Sequence, residues 1–212
     1  VDVRAFTVGP FQENTFILRR DGSDHAVVVD PGDEPELLIG AIEKLGVTVD
    51  AILVTHTDVD HVGAVAPLAK QTGAPVYCPK LEVARLQDIM GHIPAPGLGP
   101  FEGYDADETV EGGEELELAG MRIEVVATPG HTEGHVTYAF PDEGVIASGD
   151  VLFQGSVGRT DRPNGDHQTL LNSIATLLER YPDDTLVLPG HMGTTTLGRE
   201  RETNPFLAEL AQ

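Results

Sequence analysis

Apolar runs in this chain end repeatedly on a histidine or an aspartate, as in AILVTH (51–56), IEVVATPGH (123–131), VIASGD (145–150) and TLVLPGH (185–191). Each reads as a short buried strand with an ionisable side chain just past its C-terminal end. That recurrence restricts the chain to an architecture that gathers strand ends, because α/β proteins build their sites in the loops beyond strand C-termini.

The rest of the sequence supplies such an architecture. Strands are expected over 2–8, 14–20 and 25–30, then a helix carrying Leu37, Leu38, Ala41, Ile42 and Leu45 on one face. Asp33 reads as its N-cap, with Glu36 as the capping-box partner. Strand 50–55, a helix over about 62–72, strand 74–79 and a helix over 80–90 continue the alternation. Residues 91–105 are rich in Gly and Pro and form a long loop, a natural cover for a substrate. The segment 102–117 holds eight acidic residues and no basic one, and reads as solvated surface. Strands near 115–119, 121–127, 135–140 and 144–148, a helix over 167–180, strand 185–189 and a terminal helix near 198–210 complete the chain. With no low-complexity linker and no repeat, residues 1–212 are expected to form a single domain.

Thirteen basic residues against 35 acidic ones leave a formal charge of −22. Such a surface repels phosphate backbones and anionic lipid, so neither nucleic acid nor membrane is expected as a partner. No apolar run approaches the roughly 20 residues that cross a bilayer. The N-terminus alternates like a strand and lacks a signal-peptide pattern. Cys78 is the only cysteine, which excludes an internal disulfide and a cysteine-rich zinc site; it reads as a small buried hydrophobe. These features point to a cytoplasmic protein, monomeric or homodimeric.

The chemistry concentrates in LVTHTDVDHVG (53–63), where His56, Asp58, Asp60 and His61 fall within six residues. Imidazoles and carboxylates so crowded repel or strain one another unless a cation binds them, and neutral imidazole with carboxylate suits zinc, iron or manganese. His25, His92 and His167 stand apart from the strand-end pattern and read as surface or hydrogen-bonded residues, His167 beside a helix start.

THTDVDHVG, TPGHTEGHV, SGDVLFQGSVGRTD and LPGHMGTTTLGRERETNPF, together with VGPFQENTF and VVDPGDE, resemble the successive motifs of the metallo-β-lactamase fold superfamily, and within it the small glyoxalase II-like (hydroxyacylglutathione hydrolase-like) branch. The resemblance runs nearly end to end. It implies an α+β fold, an αβ/βα four-layer sandwich with the metal site at the edge between two mixed sheets. It also implies two divalent metal ions, zinc first, with iron or manganese as alternatives. One ion would be held by His56, the residue at 58 and His131, the other by Asp60, His61 and His191, with Asp150 bridging; His135 would support the site from behind.

The resemblance expects histidine at 58, where this chain has Asp58. A carboxylate oxygen lies as many bonds from Cβ as an imidazole Nδ1, so Asp58 can reach the same ion. The swap replaces a neutral nitrogen with a hard anionic oxygen, which favours iron or manganese and raises the pKa of bound water. Direct ligation is preferred over two alternatives: Asp58 turned away, leaving one ion on His56, His131 and Asp150, or a weak first site.

The implied reaction is hydrolysis of a thioester or other ester by attack of a metal-bound hydroxide on the carbonyl, with Asp60 as ligand and catalytic residue. A thiolate leaves readily, and the sequence offers neither a G-x-S-x-G elbow nor a convincing Ser-His-Asp set. Arg159, a rare cation beside the site, is expected to contact an anionic part of a small-molecule substrate; pairing with Asp161 is the equal alternative. Longer relatives in this branch carry a helical C-terminal domain that helps bind glutathione; this chain is expected to lack one, which makes another low-molecular-weight thiol ester or a different ester an alternative substrate. Two rival readings are a mononuclear-iron persulfide dioxygenase and a metal-binding relative with little catalysis.

Overall fold

The computed structural model describes residues 1–93 and 96–208. It divides into two compact units: Val1–Val110 with Glu117–Met121, and Glu111–Leu116 with Arg122 onward.

The first unit runs β1 (Asp2–Val8), β2 (Glu13–Arg19), β3 (His25–Val29), α1 (Pro35–Leu45), β4 (Thr48–Leu53), α2 (Val59–Val62), α3 (Val65–Thr72), β5 (Val76–Pro79), α4 (Val83–Gln87) and β6 (Glu108–Val110). Its sheet has the order β1-β2-β3-β4-β5-β6, antiparallel at β1/β2 and β2/β3 and parallel from β3 onward. β2 and β3 are buried almost throughout: β3 is an apolar run after His25, while β2 buries Glu13, Asn14 and Thr15 as well as Phe16, Ile17 and Leu18. Val28, Leu38, Ile52, Val65 and Leu68 share one core. The parallel register pairs Val29 with Leu53, so the residues after β3 and β4 emerge side by side.

Helix boundaries differ from the sequence expectation where side chains or loops compete for the backbone. α1 begins with Pro35, whose fixed φ suits a first helical turn, after Glu34 in the left-handed region. Asp33 therefore does not cap it; its Oδ1 accepts from the neighbouring Glu34 N–H instead. The helix expected over 62–72 is split: α2 ends at Val62, and the Ala64 N–H bonds the Pro31 carbonyl before α3 starts. The helix expected over 80–90 breaks into α4 and flanking 3₁₀ turns, because Asp88 leaves the helical region and its side chain accepts from the Gly91 N–H. The acidic segment contributes β6, whose Glu108 and Thr109 are exposed, a charged edge of the kind that blocks further strand pairing.

The second sheet is built from β7 (Glu115–Leu118), β8 (Met121–Ala127), β9 (Val136–Phe140), β10 (Val145–Gly149), β13 (Leu186–Pro189) and β14 (Thr195–Thr196), in the order β14-β13-β10-β9-β8-β7. A small hairpin of β11 (Leu152–Phe153) and β12 (Ser156–Val157) follows β10, and α5 (His167–Arg180) and α6 (Leu197–Thr203) complete it. β8 and β10 are each antiparallel to β9, and β10 is parallel to β13. Hence β8, β10 and β13 all end at the same sheet edge, the edge that carries His131, Asp150 and His191. α5 buries Leu170, Leu171, Ile174, Leu177 and Leu178, a stripe at helical spacing worth about 1.5–3 kcal/mol per side chain. Asp166 caps it by accepting from the Thr169 N–H at 2.7 Å. The expected terminal helix is shorter: Asn204 and Pro205 end α6 at Thr203, and residues 209 and 210 lie outside the described ones. Among the described residues no helix is long and apolar enough to cross a membrane.

Candidate metal centre

In the first unit the strand ends of β3 and β4 assemble a buried polar knot. Asp30, in the left-handed region at φ 47, accepts from the Thr55 N–H at 2.7 Å and the Thr55 hydroxyl at 2.6 Å. Its Oδ2 also lies 3.0 Å from His61 Nδ1. A carboxylate only accepts, so His61 carries its proton on Nδ1. The Thr55 hydroxyl is spent on Asp30, so its oxygen accepts from His56 Nδ1 at 3.0 Å. Both imidazoles are thereby held in the tautomer that leaves the lone pair on Nε2, the arrangement outer partners give to metal-binding histidines. The two rings lie 4.2 Å apart, and Asp30, His56 and His61 offer donor atoms within 4.8 Å of one another.

Asp58 keeps one oxygen on each side: Oδ2 is 3.6 Å from His56 Nε2, and Oδ1 is 3.7 Å from Arg85 Nη1. Asp60 sits on α2, next to Gly32. A Cβ on Gly32 would stand 1.8 Å from the Asp60 carbonyl oxygen, so only glycine lets these backbones meet. Glu13, fully buried, lies 3.8 Å from His61 Nδ1; burial pushes its carboxyl well up, with Asp30 and Asp60 adding to the shift and His61 opposing it.

In the second unit one oxygen serves two histidines. Asp150 Oδ2 lies 3.6 Å from His131 Nε2 and 3.6 Å from His191 Nε2. Two ligands about 2.1 Å from one tetrahedral ion stand about 3.4 Å apart, so these spacings, and that of His56 with Asp58, match edges of a coordination shell. His131 Nδ1 donates to the Arg159 carbonyl at 2.8 Å, which again leaves Nε2 as the donor atom. His135 plays a different part. Its Nε2 accepts from the Asp150 N–H at 3.1 Å and its Nδ1 meets the Thr128 hydroxyl at 3.0 Å, so it fixes the backbone of Asp150. Phe153 stands edge-on to His191 at 5.9 Å between ring centres. Gly158 is required here, since a Cβ would fall 1.9 Å from the Asp150 carbonyl oxygen.

The Arg159 guanidinium is exposed and bonds Asp161 through Nε at 2.7 Å and Nη2 at 3.0 Å. His25 pairs with Asp50 at 2.6 Å, and His92 meets the Asp88 carbonyl, in keeping with surface roles. Cys78 is buried in β5, and burial pushes its thiol up. Asp30, Thr55, Glu13 and Arg85 are not among the residues the sequence marks for the site. Asp30 had a readable signal, since VVVD ends on an aspartate just as VIASGD does; the others had none.

Comparison with known proteins agrees with this geometry. Residues 8–191 match the family model of the metallo-beta-lactamase superfamily. The chain is 35% identical over 209 residues to hydroxyacylglutathione hydrolase GloC of Haemophilus influenzae, covering 98% of each chain. Among solved structures, BLEG-1 B3 metallo-beta-lactamase has a TM-score of 0.91 at 38% identity, with 98% of this chain and 100% of that one covered. TTHA1623 in a di-iron-bound form has a TM-score of 0.83 at 41% identity, with 96% and 100% covered. The strand-end histidines and aspartates, the two mixed sheets and these likenesses agree: the chain belongs to the metallo-β-lactamase superfamily and has its α+β fold.

Proposed function

We propose that this metallo-hydrolase relative cleaves a small-molecule thioester, as a hydroxyacylglutathione hydrolase-like enzyme. The observation that carries the reading is the single Asp150 oxygen placed equally from His131 and His191, with His56, His61 and His131 all held with Nε2 as the donor atom. In this proposal one divalent ion would be held by His56, Asp58 and His131 and a second by Asp60, His61 and His191, with Asp150 available to both. When bound, such ions supply a water-derived nucleophile at neutral pH and polarise the scissile carbonyl. Asp60 orients the attacking water, and a thiolate leaves without a strong protein acid. Arg159 takes an anionic part of the substrate, exchanging Asp161 for it. The name of the Haemophilus influenzae relative supports a thioester substrate. Zinc is the first choice of metal; the hard oxygen of Asp58 and the di-iron form of a structural relative support iron or manganese as alternatives. The acidic chain is proposed to work in the cytoplasm as one domain, monomeric or homodimeric.

The test is elemental analysis of protein purified without added metal, coupled to a panel of thioesters, a β-lactam and glutathione persulfide. Two metals per chain with thioester turnover supports the reading. One iron with oxygen uptake on persulfide would replace it by the dioxygenase reading, which Asp58 also permits because it spares His56, His131 and Asp150. Asp58→Ala should lose metal; full metal content and turnover in that variant would remove Asp58 from the ligands.

A further inference from the structure

His131 has both ring nitrogens engaged, and the second engagement is with a cation. Arg162 Nη2 lies 2.6 Å from His131 Nε2. An arginine has donors only, so the bond runs from its N–H to the Nε2 lone pair. The geometry on the other side of the ring agrees, since the Arg159 carbonyl at 2.8 Å obliges Nδ1 to carry the proton. An imidazole nitrogen has one lone pair. It serves the guanidinium or a divalent ion, not both.

The contact is built into the backbone. Arg162, Pro163, Asn164 and Gly165 form a turn closed by Gly165 N–H to the Arg162 carbonyl at 2.9 Å, with Asn164 at φ 70. Proline at the second position and a left-handed asparagine at the third are what a type II turn requires. The next residue ties the turn to the His131 loop, Asp166 N–H bonding the Gly130 carbonyl at 2.8 Å. Gly130 is itself pressed against α5, where a Cβ would meet Leu170 Cα at 2.4 Å. The Arg162 backbone and His131 therefore stand on one short frame, with the guanidinium carried to the ring on a flexible side chain.

We propose that Arg162 competes with metal for His131 Nε2 and so sets the affinity of that ligand position. The inference rests on reading His131 as a metal ligand. It gives the arginine a purpose that suits this chain. A surface of −22 charge concentrates every divalent cation around the protein. Magnesium and calcium prefer oxygen and bind imidazole poorly, whereas zinc, iron and manganese accept it. A guanidinium already seated on Nε2 raises the threshold for loading, and only ions that bind imidazole well displace it.

The experiment uses the metal-stripped protein and Zn²⁺ alone, with no substrate. Affinity is read by competition with a chromophoric chelator for wild type, Arg162→Leu and Arg162→Lys, each checked for folding by its thermal transition. Arg162→Leu should bind about ten- to a hundredfold more tightly, the equilibrium worth of one charge-assisted hydrogen bond. Arg162→Lys, which keeps a donor, should stay nearer wild type. In ¹⁵N-labelled wild type, Zn²⁺ should shift the Arg162 side-chain signals in step with the His131 ring, a readout that needs no variant. Equal or weaker zinc binding by folded Arg162→Leu, or Arg162 signals that ignore zinc while His131 responds, would overturn this inference alone. Failure of every form to bind metal would overturn the metal-centre reading and this inference with it.

Discussion

Asp30→Asn is the most searching single substitution, because it keeps shape and changes only what the group can accept. Asp30 is 2% exposed and receives three donors: Thr55 N–H on Oδ1, and the Thr55 hydroxyl and His61 Nδ1–H on Oδ2. An asparagine has one acceptor oxygen and one amide nitrogen. With oxygen at the Oδ1 position, its NH₂ faces the hydroxyl and the imidazole N–H; flipped, its NH₂ faces the Thr55 N–H. Either way donor meets donor in a site closed to water. If Thr55 rotates to accept from the new amide, its hydroxyl turns toward His56 Nδ1 and reverses that tautomer as well. The loss of a buried charge-assisted bond, with a donor left unsatisfied, costs about 2–5 kcal/mol. For a chain of this length that is roughly 5–15 °C in melting temperature. Metal affinity should fall about 10- to 100-fold, as it does when the outer partner of a ligand histidine is removed. Urea denaturation of metal-stripped protein reads the first effect and chelator competition the second. Stability within about 0.5 kcal/mol of wild type, or unchanged zinc affinity, would refute the claim that Asp30 fixes the two rings.

The remaining predictions address the second unit. Gly158→Ala forces a methyl into the Asp150 carbonyl and should destabilise by about 1–3 kcal/mol while lowering bound metal per chain; full metal content with native stability would show that the close approach does not matter. Glu124 lies on β8 against Tyr181 OH at 2.8 Å, Arg180 at 2.8 Å and Arg122 at 2.7 Å. Burial acts to raise its carboxyl, but these partners hold it below the usual value. A depressed carboxyl contributes stability that is present above its unfolded value near about 4.3 and is lost as pH falls through the folded one. Tyr181→Phe should therefore cost about 1 kcal/mol at pH 7 and flatten the acid limb of a stability–pH profile; an unchanged acid limb counts against it. Arg159→Ala keeps the carbonyl that anchors His131 and should leave stability unmoved. It should raise KM about tenfold or more for a carboxylate-bearing thioester with kcat preserved, and a KM within about twofold of wild type would remove Arg159 from substrate binding.

What the sequence disclosed and what it withheld divide along local and non-local physics. Apolar runs ending in His56, His131, Asp150 and His191 are local patterns, and strand periodicity alone marks them as strand ends. Asp30 carries the same mark, yet its role depends on the parallel register that pairs Val29 with Leu53 and brings β3 and β4 out together, a choice made by tertiary packing. The helix expected over 80–90 failed for a related reason: Leu81, Leu86 and Ile89 suit a helix, but the Asp88 side chain offers the backbone a better local partner. Least legible were the groups that set each histidine's proton. A threonine hydroxyl holds His56, a carboxylate holds His61 and a main-chain carbonyl holds His131. Three unlike acceptors give the same tautomer, so no residue type at a fixed spacing encodes it, and a backbone carbonyl leaves no trace in sequence at all.

The two arginines of GRTDRP make the same point where function is concerned. As letters they are equivalent cations three residues apart, and proximity to SGD favours the first. Asp161 lies two residues beyond Arg159 and takes its guanidinium by a short local reach. Arg162 opens a proline–asparagine turn whose next residue is hydrogen-bonded to Gly130, so its side chain is delivered to His131, a neighbour 31 positions away. Charge placed by a turn, rather than charge counted along the chain, decides which arginine a metal ion must contend with. The feature proposed to set metal loading then lies outside every histidine and aspartate motif that points to a metal centre.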